Sequence, residues 1–374
     1  MPTLDQRHSL LGHLTPRWGI TVAIQDGELL SSWLVRTALA QGCDPLVLTG
    51  HLWPKWRIWT IDLDRGLSAD RLNQLATASG IDATCLDAST FRAFAEELQI
   101  DVVNFGTWPW LLSQGSRNRR HHGGLQYCPR CLEEDAAPYL RRTWRLAWHT
   151  ACERHEEELR DRCPACQAVP EPHRLVAFEG RINRCATCRT DLTCVPHKPA
   201  DPGVLAFQRS ADSVLRTRSG SFGNQLLGAN EWFSLARFLI VLIRRASSTN
   251  SQGLQEFLAL LGIPSASAPY IPHSQQVFES LPTVVRAALI SPLLGLMEAG
   301  PAAMVKAARG AQLTAASFLG VRKRIPDAFH VILSTLPMGH RRARRLPKKI
   351  NATPRSPAAV LRHCVRMQRR WARS

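Results

Sequence analysis

Cys128-Pro-Arg-Cys131, Cys152-Glu-Arg-His155, Cys163-Pro-Ala-Cys166 and Cys185-Ala-Thr-Cys188 are four ligand pairs of one spacing, packed into a short central stretch of the chain. Two donors three positions apart fit a tight turn, so both can reach one metal while backbone N–H groups face the sulfurs. Pro129 and Pro164 fix φ inside two of these turns. Zinc takes four Cys or His ligands in a tetrahedron, and a closed set leaves no open coordination position. The expectation is therefore two structural Zn²⁺ ions. One sits on Cys128, Cys131, Cys152 and His155, the other on Cys163, Cys166, Cys185 and Cys188. The intervals between pairs, 20 and 18 residues, match zinc-ribbon spacing. Pairing in sequence order is favoured for that reason. An interleaved arrangement, in which the first and third pairs share a metal, stays open.

Other readings of the cysteines are weaker. Disulfides are disfavoured by the C-x₂-C spacing, by the lack of a secretory signal in Met1–Leu14, and by the unpaired look of Cys43, Cys85 and Cys364. Cys194 is a spare thiol, and His121, His122, His149 or His173 could replace His155. His155 is preferred because it keeps the x₂ spacing to Cys152. His155-x-Glu157 followed by Cys163 and Cys166 has a superficial likeness to zinc deaminases. Those need a Pro before the cysteine pair and a long separation, whereas Arg162 precedes Cys163 here. There is no G-x₄-G-K-[ST] and no G-x-S-x-G, so the chain reads as no enzyme.

The chain has 374 residues and a formal charge of +17. Twelve Lys and Arg lie from Arg341 onward with no acidic residue, which leaves only +5 for the first 340 residues. A one-sign run is an electrostatic footprint for a polyanion, and DNA is the expected partner. Candidate nucleic-acid contacts are Arg341, Arg342, Arg344, Arg345, Lys348, Lys349, Arg366, Arg369 and Arg370, with Arg117, Arg119 and Arg120 in a basic loop before the first cysteine. No membrane partner is expected. Phe238–Ile243 is too short to span, and Leu281–Gly300 is interrupted by Arg286, Pro292 and Glu298. The chain reads as soluble, cytoplasmic and nucleoid-associated.

The fold class expected is mainly α, a multi-domain helical protein with helix-turn-helix-like elements around a central double zinc-ribbon module with small β-hairpins. Glu28–Gln41 has helical periodicity and stops at Gly42; Ser68–Phe94 reads as two helices about Gly80. Thr314–Val321 begins a second such motif, but Pro326 falls where its recognition helix would run. The division expected is a helical domain over 1–115, the zinc module over 116–198, a Pro/Gly/Ser-rich linker over 199–224, a helical domain over 225–340 and a basic tail over 341–374.

Tyr127–Cys131 (YCPRC), Trp144–Trp148 (WRLAW), Cys152–His155 and Arg162–Cys166 (RCPAC), together with LLSSWLVRTA after Glu28, resemble the TniQ family, which includes the larger TnsD proteins. The resemblance implies non-enzymatic target-site selection in DNA transposition. It implies an AAA+ transposition ATPase and a transposase complex as partners, and in some relatives a CRISPR effector complex. A homodimer is kept as an alternative. The family's helix-turn-helix elements map to about 68–94 and 302–335. Relatives carry Gly after the C-x-x-H and after the second C-P-x-C, where this chain has Glu156 and Gln167, so different local turns are expected there. The reading outside this family is a stand-alone zinc-containing transcription regulator.

Overall fold

The computed structural model describes residues 17–100, 106–114, 124–247, 252–263, 276–318 and 325–339, with 356–358, 361, 364, 365 and 368 near the C-terminus. Helix dominates, and the paired strands among the described residues form two two-stranded antiparallel hairpins. Met1–Pro337 is one compact unit and Met338–Ser374 a second.

The first helix, α1 (Leu30–Ala40), is buried on nearly every side. Leu30, Trp33 and Leu34 enter one apolar cluster with Leu52, Trp53, Ile58, Leu72 and Leu75. Leu29, Val35 and Leu39 enter a larger one that continues through Trp148, Phe233 and Leu289 to Leu336. A helix between two cores has no face for unpaired polar groups, so its serines need partners. Ser31 Oγ donates to Asp64 Oδ2 (2.9 Å) and its N–H to Asp64 Oδ1 (2.8 Å). Ser32 Oγ donates to Glu28 Oε1 (2.8 Å) and accepts the Leu140 N–H (2.9 Å). The other oxygen of Glu28 takes Arg36 at 2.6 Å. Burial is the largest influence on Glu28 and raises its pKa against the pull of Arg36.

Helix α2 (Pro45–Leu52) follows, then α3 (Ala69–Ser79) and α4 (Ala83–Ala88). Gly80 ends α3 in the left-handed region (φ 73°), and Asp82 caps α4 by accepting the Thr84 N–H at 2.8 Å. A third short helix, α5 (Arg92–Glu97), packs against them. Helix α6 (Pro129–Glu134) and the hairpin β1 (Ala151–Cys152) with β2 (Glu157–Glu158) form the centre of the chain.

The stretch 199–224, expected as linker, instead holds α7 (Pro202–Thr217). Turn-forming residues concealed it at its start and just past its end, but each serves the helix. Asp201 caps it, Pro202 occupies the first turn, and Val204, Leu205, Phe207, Ala211 and Val214 form its buried face. A hairpin, β3 (Ser219–Phe222) with β4 (Gln225–Gly228), leads to α8 (Ala229–Ala246), the buried axis of the second half. Around it lie α9 (Gln252–Leu260), α10 (Thr283–Ile290), α11 (Leu293–Gly310), the short α12 (Ala315–Phe318) and α13 (Asp327–Ser334). Pro326 does not break a recognition helix. It is the N-cap of α13, where proline's missing N–H costs nothing.

The stretch Thr283–Gly310 is long and apolar enough to pass a composition test for a membrane span. It is not one straight helix, because Pro292 separates α10 from α11 and Gly300 (φ 67°) kinks α11 before Pro301. Pro301 has no N–H to offer the carbonyl of Met297 one turn earlier. That carbonyl instead accepts the N–H of Gly223 (2.8 Å) from the β3–β4 turn. The two glycine backbones touch, and a Cβ on Gly300 would stand 2.6 Å from the Gly223 Cα.

The segment Trp144–Cys152 ties the halves together through its polar groups. Arg145 is fully buried and donates to Asp62 (2.8 and 2.7 Å), to Asp64 (2.9 Å) and to the Leu112 carbonyl (2.6 Å). Arg286, also fully buried, donates to the Ala147 carbonyl (2.6 Å) and to Gln126 Oε1 (2.7 Å). Trp148 packs on Trp110, Phe94 and Phe233. Removing one partner of a buried ion pair strands the other charge, at a cost of about 3–5 kcal/mol. Arg145→Ala should therefore lower unfolding free energy by about that amount in chemical denaturation. A loss below about 1 kcal/mol, the value of a surface pair, would show that water reaches the site.

Candidate metal centres

Cys128, Cys131, Cys152 and His155 come together with every ligand atom within 4.8 Å of the others, and so do Cys163, Cys166, Cys185 and Cys188. Either quartet could hold a metal ion, and the structure groups the pairs in sequence order.

In the first quartet, Cys128 caps α6 and its sulfur accepts the Cys131 N–H (3.4 Å). Cys152 ends β1, and the turn to β2 carries His155. His155 Nδ1 lies 3.2, 3.4 and 3.7 Å from the sulfurs of Cys128, Cys131 and Cys152, and the last two sulfurs are 3.6 Å apart. A tetrahedral centre with metal–sulfur bonds of about 2.3 Å has sulfur–sulfur edges of roughly 3.8 Å and sulfur–nitrogen edges of roughly 3.6 Å. The quartet is within a few tenths of an ångström of that size. Its electrostatics also fit a cation. The Cys128 thiol is pushed up by its contacts with Cys131 and Cys152 and by burial, while Cys152 is pushed down to about 2 by hydrogen bonds from Cys128 and Cys131. Thiols this close must share protons unless a cation takes the protons' place.

The outer contacts of this quartet carry no sequence signature. His155 Nε2 bonds Glu134 Oε2 at 3.0 Å, and that carboxylate also meets Arg154 at 2.7 Å. The His155 bond, with help from Arg154 and Arg130, holds Glu134 below the usual carboxylate range. A carboxylate on the far nitrogen fixes the ring so that Nδ1 faces the metal. Glu157 Oε1 lies 2.9 Å from Cys128 Sγ. From α7, Gln208 accepts the N–H groups of Thr150 and Ala151 (both 2.9 Å), which seats β1 on the helical core. His149 is not free to replace His155, because its Nε2 lies 2.9 Å from Asp212 Oδ1. His149, Glu153 and Asp212 form a third group of possible ligands. Asp212 Oδ1 also accepts the Trp148 indole N–H (2.9 Å), so His149 and Asp212 are already partnered, and Glu153 is exposed. His173 stacks on Trp59, 5.2 Å between ring centres. His121 and His122 lie outside the described residues.

The second quartet is built from one turn used twice. The N–H of Cys163 donates to Ala168 O and that of Cys185 to Thr190 O, at 2.8 and 2.9 Å. The N–H groups of Gln167 and Arg189 return to Cys163 O and Cys185 O, at 3.0 and 2.9 Å. Arg162 and Arg184, each just before its turn, donate to the carbonyls of Gln167 and Arg189, at 2.8 and 3.4 Å. Sulfur pairs Cys163–Cys188 and Cys166–Cys185 stand at 3.6 and 3.7 Å. Contacts with the Thr190 hydroxyl and backbone N–H push Cys188 down to about 6. The Cys163 thiol goes the other way, up to about 12, chiefly through burial.

The residue after each of these three ligand pairs is left-handed without being glycine: Glu156 (φ 50°), Gln167 (φ 59°) and Arg189 (φ 68°). The turns at Glu156 and Gln167 therefore do not avoid the positive-φ conformation that glycine favours. The chain adopts it with ordinary side chains, and metal ligation on one side and the paired hydrogen bonds on the other can hold it.

All twelve residues expected to touch nucleic acid (Arg117, Arg119, Arg120, Arg341, Arg342, Arg344, Arg345, Lys348, Lys349, Arg366, Arg369 and Arg370) lie outside the described residues.

Two outcomes follow. Glu134→Ala should weaken metal at the first quartet by about 10–100-fold in competition with a chromogenic chelator, and leave the second unchanged. Gln167→Gly should raise unfolding free energy by up to about 1 kcal/mol, because relief of the left-handed strain exceeds glycine's added freedom in the unfolded chain. Destabilisation by this substitution would mean that the turn stores no strain.

Residues 19–159 match the TniQ family model. No curated protein matches the chain. The matched segment runs from the extended start before α1 through β2, so it includes the whole first quartet, and the second lies beyond it. Over that segment the chain is similar to the TniQ family, a family whose implied role is that of a transposition-associated adaptor.

Proposed function

We propose that this protein is a non-enzymatic target-site selection adaptor in DNA transposition. It links target DNA, or a complex already bound to the target, to an AAA+ ATPase and through it to the transposase. The observation that carries this reading is the TniQ match over 19–159, which coincides with the part of the chain where α1 and the first quartet are packed into one core. An adaptor needs surfaces held in fixed relation rather than a reactive centre, and buried ion pairs and metal ligands supply that rigidity. Both quartets bind structural Zn²⁺ through Cys128, Cys131, Cys152 and His155 and through Cys163, Cys166, Cys185 and Cys188. Closed Cys/His sets in tetrahedral dimensions are the preferred surroundings of that ion. The twelve Lys and Arg from Arg341 onward give salt-sensitive, sequence-independent DNA affinity, and the adaptor works in the cytoplasm at the nucleoid.

The test is a pull-down of the full chain with the ATPase of its own transposon, with and without DNA, after bound zinc has been counted. Two zinc ions per chain and a complex strengthened by DNA are expected. DNA binding with no ATPase contact would replace the adaptor reading with that of a stand-alone DNA-binding regulator.

A further inference from the structure

The two quartets differ sharply in exposure. In the first, Cys128, Cys131 and Cys152 are 0%, 1% and 4% exposed, and the His155 side chain is 5% exposed. In the second, Cys163 and Cys185 are buried, Cys188 is half-buried and Cys166 is exposed. The second is also all cysteine, and the guanidinium groups of Arg162 and Arg184 are fixed beside its turns. Thiolate character and access together decide which cysteine an oxidant reaches.

The loop closed by the second quartet has a further task. Val169–Val176, with Ala186 and Thr187, forms one wall of a cleft of about 730 Å³. The opposite wall is Asp44, Leu46, Trp59, Thr60 and Ile61, from α2 and the helical turn after it. The walls meet at the Trp59–His173 stack and where Asp44 Oδ1 accepts the Ala177 N–H (2.7 Å). The ends of this loop meet at the second quartet, with Cys166 before it and Cys185 after it and their sulfurs 3.7 Å apart.

We propose that the Cys163, Cys166, Cys185 and Cys188 centre is a modification site for peroxide-class oxidants, entered at Cys166, and that oxidation exchanges metal closure of this loop for a covalent bond between its ends. This rests on the reading of both quartets as zinc centres. The Cys166 thiolate attacks one peroxide oxygen and the O–O bond breaks, giving a sulfenic acid and hydroxide. The Cys185 thiolate, 3.7 Å away, attacks that sulfur and expels a second hydroxide. Two thiolates, one hydrogen peroxide and two protons become one disulfide and two waters. The sulfurs lose two electrons, the peroxide gains them, and the zinc ion loses two of its four ligands. The first quartet is shielded because β1, α6 and the core cover its sulfurs.

The experiment uses the full, zinc-loaded chain carrying Cys85→Ser, Cys194→Ser and Cys364→Ser, which removes the exposed cysteines outside the quartets. Zinc is counted first. Two ions per chain uphold the zinc reading, and fewer overturn that reading and this proposal with it. Hydrogen peroxide is then added while released zinc is followed with a chromogenic chelator and the cysteines are mapped by mass spectrometry. The expected result is one zinc released at least about tenfold faster than the other, with a Cys166–Cys185 disulfide and unmodified Cys128, Cys131 and Cys152. Release of both ions at one rate, earlier oxidation of the first quartet, or an unmodified Cys166 would overturn the proposal while leaving the zinc reading in place.

Discussion

A fully buried guanidinium sits at the centre of this fold. Arg145 meets Asp62, Asp64 and the Leu112 carbonyl, and Asp64 in turn receives Ser31 from α1. Burial is the largest influence on both charges; it raises the Asp64 pKa, while at Arg145 it is outweighed by Asp62 and Asp64, so that the Arg145 pKa is raised. Because these groups come from four separate stretches of chain, the network fixes how those stretches pack, although Arg145 Nε is left without a partner. Two further fully buried polar residues extend the same logic to the second half. Arg286 holds Ala147 O and Gln126, and Glu279 accepts the Trp110 N–H while pairing with Arg237. Apolar burial supplies the bulk of the driving force, and these polar contacts make the packing specific.

The metal quartets depend on that frame to different degrees. The first is assembled on β1, which Gln208 seats against α7, and its histidine is oriented by Glu134 on α6. Its ligands would be close together even with the ion removed, because the core already brings them near. The second is a pair of mutually supporting turns at the edge of the main apolar cluster, which only Cys163 and Cys185 of its four ligands enter as buried members. For such a module, metal binding and folding are nearly one event.

Spacing made the ligand grouping legible from sequence, since a tetrahedral ion and two three-residue intervals leave few ways to close a site. Periodicity placed α1 and α3 to within a few residues. The helix at 202–217 was hidden because Asp201, Pro202 and Gly203 look like loop when they are a cap and a first turn. Pro326 misled for the same reason: a proline reads as a break until its place relative to the helix start is known. Nothing local pointed to Glu134, Gln208, Asp212 or Glu279. Their partners lie 21, 58, 64 and 169 residues away, and no pattern in one sequence reports contacts at that range. Glycine's absence after Cys166 suggested a different turn, whereas ligation can impose the backbone conformation that glycine would have made inexpensive.

The proline in α11 has a consequence of its own. Proline inside a helix usually counts as damage, because it leaves a carbonyl one turn back without a donor. Here that carbonyl, on Met297, serves as an acceptor for the hairpin tip at Gly223. The break in one element is thus the attachment point of another. A substitution that restored a regular helix at 301 would give Met297 a donor of its own and leave Gly223 without its acceptor. Changes at 223, 300 and 301 are therefore coupled, and the β3–β4 turn has little room to accept an insertion.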